Sequence, residues 1–435
     1  MSNFINKAVR NCLIILPIIF LNIKHGTNTI LVLLFIGAII FLAKMDLNTF
    51  LKKFYNESHI VIIFVLVAPT LSIAISQTIR NDFYPNNWDA PVRMLLCVPI
   101  YLAISQGWLI KESKDTVIHN WIRWAVPVAL ISILICRTFI PATNWGGYST
   151  TYFVDPLSFC TYTLLFTFLA IIGLTYNYKE LTTAHKYFYV VTIFIGFYLS
   201  GTSGARTGWL NLPFFSIILY AFMLKEINKK QQILGILILM AGLVVLMSTN
   251  NLLINKLILG WQEFLKYKIN EINEDTSVGM RISFYRMGFN YFFERPFAGW
   301  GDLSWMGNVN NREFLTFASI ETLEAARHGF HNEVITHSVR SGIWGLIATL
   351  SLYVVVFYKA VKGLKMQLGG QHKLISISIL VTIIHLFLTG LSTETTNLTF
   401  LSAFIGILIS VLLGEQKFLE ESYQITQKFT SLSSS

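Results

Sequence analysis

The chain has 435 residues, of which 54% are hydrophobic and only 13% are charged. Soluble domains carry roughly 25% charged residues, so this composition excludes an ordinary soluble enzyme and predicts an all-α protein with several membrane spans. The formal net charge is +10, but the basic residues are scattered in short loops between apolar runs. This distribution favours membrane lipids as partners and argues against nucleic acid.

Apolar runs long enough to cross a bilayer recur along the chain. A spanning helix needs about 20 apolar residues, and on that basis about twelve spans are predicted. They are centred on residues 11–23, 29–43, 59–76, 93–106, 121–140, 157–176, 186–200, 208–224, 232–248, 333–358, 372–390 and 396–413. Residues 1–248 would therefore hold helices 1–9, and residues 332–413 would hold helices 10–12.

Lysine is concentrated in alternate loops, which predicts the orientation of the chain. The lysine-rich loops are 44–53, 111–114, 179–186, 225–230 and 359–373, whereas those between them are poor in lysine. Loops rich in lysine and arginine remain in the cytoplasm, so both termini are expected there. From Gly414 the sequence becomes polar, and residues 414–435 are expected to form a disordered cytoplasmic tail.

Residues 249–331 form a long external segment of mixed charge between the ninth and tenth predicted spans. Residues 252–272 place apolar residues at helical spacing beside lysines, which favours a helix lying on the membrane surface. Residues 280–293 show a second helical pattern, which Pro296 ends, and Gly299-Trp300-Gly301 predicts a turn. Loops of this length in compact proteins usually carry function.

Arginines, unlike lysines, occur on the external side. Arg93 and Arg206 each stand where a span begins, and Arg281 and Arg286 lie on the second loop helix. Arginine binds phosphate through a planar fork of two parallel hydrogen bonds, so several converging arginines would form a site for a diphosphate. The alternative for each is snorkelling to lipid headgroups or pairing with an acidic residue.

His331 and Asn332 lie where the long segment re-enters the membrane, and His331 is a candidate general base. Imidazole titrates near neutrality, and nearby arginines would lower its pKa and keep it neutral, as a base requires. The alternative is a histidine that hydrogen bonds to a loop carbonyl. Glu394 is a second polar group near this face, and we interpret it as a pairing or positioning residue.

The histidines around His331 also raise the question of a metal site. His328, His331, Glu333 and His337 are close in sequence, but their spacing matches no standard motif. We therefore expect neither a metal nor another cofactor.

Four stretches together resemble a known family. His331-Asn332 is followed after nine residues by Gly342-Ile-Trp-Gly345. The others are Asp89-Ala-Pro-Val-Arg93, Ser203-Gly-Ala-Arg206 and the segment from Arg281 to Gly301. This ordered set resembles the bacterial O-antigen ligases and their relatives, the O-antigen polymerases and protein O-oligosaccharyltransferases. Independently of the resemblance, Gly342 and Gly345 are three residues apart, which predicts one small-residue helix face open to close packing.

The resemblance implies a metal-independent, inverting glycosyltransferase of GT-C-like fold in the bacterial inner membrane. Its donor would be a glycan on undecaprenyl diphosphate at the periplasmic face, and its acceptor the lipid A–core oligosaccharide. By the same resemblance, His331 would deprotonate the acceptor hydroxyl. Arg206 and Arg281 would bind the diphosphate, with Arg93 in support.

The resemblance leaves the acceptor open, because polymerases and protein transferases use the same lipid-linked donor. The short segment after the last predicted span and the form of the histidine motif favour the ligase. A transporter or flippase would need charged or broken helices near the bilayer midplane. Here the polar groups gather at one face, which argues against transport.

Overall fold

The structure is a computed structural model that describes residues 3–46, 57–110, 115–142, 149–223, 229–248, 253–268, 271–272, 275–301, 314–366 and 368–433. The N-terminal half contains α1 (Asn3–Ile14), α2 (Leu16–Phe20), α3 (Gly26–Leu42), α4 (Glu57–Arg80), α5 (Asp89–Leu95), α6 (Cys97–Ser105), α7 (Val117–Asn120), α8 (Val126–Phe139), α9 (Pro156–Asn177), α10 (Thr183–Thr202) and α11 (Asn211–Phe222). The C-terminal half contains α12 (Lys229–Ser248), α13 (Leu253–Lys266), α14 (Ser277–Glu294), α15 (Ile320–Ala326), α16 (Glu333–Met366), α17 (Gly370–Gly390) and α18 (Thr399–Ser433).

The chain is an all-α polytopic membrane protein, as predicted. Within the described ranges, seven helical segments are long and apolar enough to cross a membrane: Glu57–Arg80, Pro85–Ser105, Val117–Phe139, Pro156–Asn177, Glu333–Met366, Gly370–Gly390 and Thr399–Gln427. The other five predicted segments are also helical but are shorter, interrupted or less apolar, namely α1 with α2, α3, α10, α11 and α12. Seven clear spans are thus found where twelve are predicted, and the GT-C likeness stays a prediction.

Parts of several predicted segments lie outside the described residues. These parts are the lysine-rich stretches 47–56, 111–114 and 224–228, and positions 249–252, 269–270, 273–274 and 302–313 of the long segment. Within that segment, the two predicted helices are present as α13 and α14. The helix α14 ends at Glu294, before Pro296, and Gly299 and Gly301 have positive φ angles of 62° and 74°.

Two hydrophobic cores organise the molecule. The larger joins the membrane helices and includes the full length of α9, whose side chains are almost all buried. The smaller lies at the start of α16, where residues of α14 and α15 pack around Phe314, Phe330 and Val339. This second core fixes the long segment against the membrane helices and determines where His331 lies.

The segment after Gly414 is helical rather than disordered, so that prediction is wrong up to Ser433. The helix α18 continues past Gly414 because its polar side chains find partners on neighbouring helices. Glu415 is fully buried and accepts hydrogen bonds from the backbone N–H groups of Val117 and Ile118 at the start of α7. Sequence polarity alone did not reveal these distant donors.

Gly342 does not share a continuous helix face with Gly345, because α16 is broken at Gly342. Its backbone has φ 61° and ψ −146°, a conformation essentially restricted to glycine. The N–H of Ile343 donates to the carbonyl oxygen of Pro296 at 2.7 Å instead of to Val339. The Val339 oxygen instead accepts from the N–H of Trp300 at 2.8 Å. The turn at 296–301 therefore replaces hydrogen bonds that the break removes from the helix.

Arg80, at the end of α4, links the turn at 296–301 to α16. Its guanidinium Nη1 donates to the carbonyl oxygens of Ala298 at 2.6 Å and Arg340 at 3.2 Å, and its Nε donates to the Asp82 carboxylate at 2.9 Å. The side chain thereby joins the end of α4, the turn at 296–301 and α16. This role of Arg80 was not predictable from the sequence, since its partners are backbone carbonyls far away in the chain.

Candidate functional site

His331 lies immediately before α16, in a strained backbone conformation. Its φ angle is 47°, in the left-handed region that non-glycine residues rarely adopt. Asn332 follows as the cap of α16: its Oδ1 accepts from the N–H of Ile335 at 3.1 Å, and its carbonyl oxygen accepts from Thr336. Such strain persists only where the surroundings impose it, and it clusters at functional sites.

The surroundings that impose this conformation begin with Thr336. The N–H of Phe330 donates to Thr336 Oγ1 at 3.0 Å, and that hydroxyl donates to Glu394 Oε1 at 2.7 Å. Phe330 itself is fully buried in the smaller core, and the His331 ring lies 5.6 Å from the Phe284 ring. Buried contacts therefore hold the residues on both sides of His331.

The electrostatic environment favours a neutral imidazole at His331. Burial lowers its pKa below the ordinary value of 6.5, and the charges of Arg281 and His328 lower it further. The Glu394 carboxylate opposes this by raising the pKa. A neutral imidazole near pH 7 has a free nitrogen that can accept a proton.

The charges of Arg206 and Arg281 act on each other, and the charge of Arg281 acts on His331, so the three side chains lie in the same region. Arg206 follows the turn after α10, and its Nη1 lies beside Gly260 of α13. Burial lowers the pKa of Arg281, and the neighbouring Arg206 charge adds to this effect, whereas Tyr285 and Glu263 raise it. Two guanidinium groups in one partly buried region attract an anion, and a doubly charged phosphate group suits them.

Other predicted site residues are engaged elsewhere. Arg93 Nη1 pairs with the Asp89 carboxylate at 2.7 Å, and its Nε donates to Asn28 Oδ1 at 2.9 Å. The Arg286 guanidinium lies 3.8 Å from the Phe317 ring centroid. The structure thus places Arg206, Arg281 and His331 in one region. Arg93 pairs with Asp89, and Arg286 lies over the Phe317 ring.

Part of the chain is similar to a known protein family. Residues 188–350 match the model of the family described as O-antigen ligase. This matched segment contains Arg206, Arg281, His331 and the break at Gly342. Over this segment, the chain is similar to the O-antigen ligase family.

Two curated relatives show how far the similarity extends. An O-antigen ligase of Escherichia coli strain K12 is 31% identical over 96 residues, which cover 21% of this chain and 22% of the relative. An uncharacterized protein of Haemophilus influenzae is 26% identical over 180 residues, which cover 40% of this chain and 43% of the relative. The chain therefore spans less than half the length of each of these relatives.

A further buried carboxylate lies beside the candidate site. Glu333 is completely buried and accepts hydrogen bonds from Tyr353 Oη at 2.8 Å, Thr395 Oγ1 at 2.7 Å and the N–H of Thr396 at 2.8 Å. Thr396 also bonds to His337 Nε2 at 2.9 Å. Glu333 therefore ties the start of α16 to the 391–398 turn that carries Glu394.

From its sequence position, Glu333 was a candidate only for a metal ligand. In the structure it accepts hydrogen bonds from hydroxyl and amide groups. Across the described ranges, no group of three or more His, Cys, Asp or Glu side chains is arranged to hold a metal ion. A signal for its real role was present in the sequence, since Thr393-Glu394-Thr395-Thr396 offers several hydroxyl donors next to a turn.

Proposed function

We propose that this protein is an O-antigen ligase. It transfers a glycan en bloc from undecaprenyl diphosphate to the lipid A–core oligosaccharide, at the periplasmic face of the bacterial inner membrane. The observation that carries the proposal is the position of a neutral His331 beside the paired guanidinium groups of Arg206 and Arg281. The curated ligase relative from Escherichia coli favours this acceptor over the others that the family uses.

In this proposal, Arg206 and Arg281 bind the donor diphosphate. Negative charge builds up on the diphosphate as its bond to the sugar breaks, and fixed cationic donors stabilise that charge without reorganising. Guanidinium groups provide bidentate hydrogen bonds to phosphate oxygens, so they perform the task that a divalent cation performs in other glycosyltransferases.

His331 activates the acceptor. A core sugar hydroxyl donates its proton to the imidazole while its oxygen attacks the anomeric carbon of the donor glycan. A new glycosidic C–O bond forms, the bond from the anomeric carbon to the phosphate oxygen breaks, and undecaprenyl diphosphate leaves with the electron pair. Attack opposite the leaving group inverts the anomeric centre.

The deciding experiment is deletion of the gene in its host, with analysis of the lipopolysaccharide and the undecaprenyl-linked glycan on gels. A ligase leaves long glycan on the lipid carrier while the core stays bare. A polymerase leaves single repeat units on the core, and a protein transferase leaves lipopolysaccharide unchanged while glycoproteins disappear. Either of the last two results contradicts the proposal.

Complementation with variants tests the role of His331. His331→Ala should give the deletion phenotype at normal expression, because it removes the imidazole that would take the proton. The matched control is His185→Ala, which removes a histidine at the far end of α10 and should restore full transfer. Normal transfer by His331→Ala would contradict the assignment of the base.

A further inference from the structure

A groove of about 280 Å³ lies between α13 and the start of α14. Its wall on the α13 side carries Gln262, Glu263 and Lys266, followed by Tyr267. Thr276 and Gly279 line the opposite side. The proposed transfer step uses none of these residues.

The polar wall of the groove follows from the amphipathic character of α13. Leu259, Gln262, Glu263 and Lys266 are spaced by three or four residues, so they lie on one face of the helix. The other face carries Ile258, Trp261, Phe264 and Leu265, whose side chains are exposed. An exposed apolar face of this kind suits a membrane surface, so the polar face is turned towards the groove.

The groups in the groove match a ligand rich in hydroxyl groups. Gln262 offers both an amide donor and a carbonyl acceptor, Glu263 offers acceptors, and Lys266 offers donors. Tyr267 adds an aromatic face, and its hydroxyl is within hydrogen-bond distance of Ser283 Oγ, at 3.2 Å. The groove is lined by two acidic and two basic residues, Glu263, Glu271, Lys266 and Lys268, so its formal charge is balanced. This set is suited to a neutral polar molecule rather than to a phosphate or an acyl chain.

The groove is adjacent to the arginine pair. Glu263 lines the groove and also acts electrostatically on Arg281. Gly260, next in sequence to the groove residue Leu259, lies beside Arg206. A diphosphate bound at these two guanidinium groups would therefore lie beside α13, with its attached sugars next to the groove.

We propose that this groove binds the sugars of the lipid-linked donor that lie nearest to the diphosphate. The inference rests on the proposed function, because it requires a glycan attached to a diphosphate at Arg206 and Arg281. It assigns to α13 and the start of α14 a part in selecting the donor glycan. A site built to hydrogen bond to sugar hydroxyls discriminates strongly against ligands that lack them.

The test is direct binding of two lipids to the purified full-length protein in detergent. One lipid is undecaprenyl diphosphate without sugar, and the other carries the glycan of the host. Wild type should bind the glycan-bearing lipid more tightly, and Gln262→Ala and Tyr267→Ala should each reduce that preference about tenfold. Both variants should bind the sugar-free lipid like wild type.

Controls separate loss of the groove from loss of folding. Gln427→Ala removes an exposed glutamine near the C-terminal end of α18, and this variant should keep the full preference for the glycan-bearing lipid. Tyr267→Phe keeps the aromatic face and should retain more of the preference than Tyr267→Ala. A variant that fails to bind the sugar-free lipid is misfolded, and the result from the other groove variant then decides.

Each outcome assigns success or failure to one of the two proposals. If wild type binds neither lipid, the proposed function is wrong. If wild type binds both lipids equally, or if the groove variants keep the full preference for the glycan-bearing lipid, the groove is not the sugar subsite and the proposed function stands.

Discussion

Replacing Gly342 by alanine tests whether the break in α16 is a built part of the site. A side chain at φ 61° and ψ −146° costs about 1–3 kcal/mol of backbone strain. The added Cβ would also overlap the Pro296 carbonyl, which accepts the hydrogen bond from Ile343. Losing that bond adds roughly 1 kcal/mol, so Gly342→Ala should lower the free energy of unfolding by about 2–4 kcal/mol.

Gly369 provides a matched control for this substitution. Its φ is also positive, at 108°, but an added Cβ meets nothing within 4 Å. Gly369→Ala therefore carries the backbone strain alone and should cost less than Gly342→Ala.

The measurements are thermal unfolding in detergent and glycan transfer by each purified variant. Gly342→Ala should show the larger fall in midpoint and should also lose transfer, because the break lies on the segment that begins beside His331. Equal falls in midpoint for the two alanine variants, or full transfer by Gly342→Ala, would refute the reasoning.

Four further predictions concern the chemistry of the site. Arg206→Lys should lose most transfer activity, since a point charge replaces a bidentate guanidinium, whereas Arg93→Lys should lose less. Equal activities of the two variants in a transfer assay would count against the diphosphate site. Because burial and then Arg281 and His328 lower the pKa of His331, transfer should be constant near pH 7 and should fall only below pH ~6.5. Glu394→Gln removes the group that raises this pKa and should move the acidic limb of the pH–rate profile lower, so an upward move would contradict the assignment. Chelation with EDTA should leave transfer unchanged in detergent, and a clear loss would point to a metal.

Local sequence patterns were sufficient to predict the helices and the membrane class. The runs that predict spans are long and apolar, and every one of them is helical in the structure. The amphipathic pattern of residues 252–272 likewise predicted α13. Such patterns depend on neighbouring residues, and the sequence therefore contains the whole signal.

Features that depend on distant partners were not predictable. The spacing of Gly342 and Gly345 indicated a packing face, but the structure has a break there. The break was not predictable, because the Pro296 carbonyl that accepts from Ile343 lies more than forty residues earlier in the chain. The helix beyond Gly414 depends on the buried contact of Glu415 with the start of α7. The pair of Arg93 with Asp89 is different, since Asp89 lies four residues before it, a spacing at which opposite charges meet on a helix.

The break in α16 also has a consequence for how this protein can be assembled and engineered. Backbone groups of Val339, Arg340 and Ile343 in α16 bond to residues 296–301, so this helix is not a self-sufficient unit in a bilayer. Those residues leave the ribosome before α16, and the turn they form must meet the helix as it inserts. A chimaera with a related protein should therefore exchange residues 296–301 and the start of α16 as one piece, since exchanging either alone leaves unpaired peptide groups.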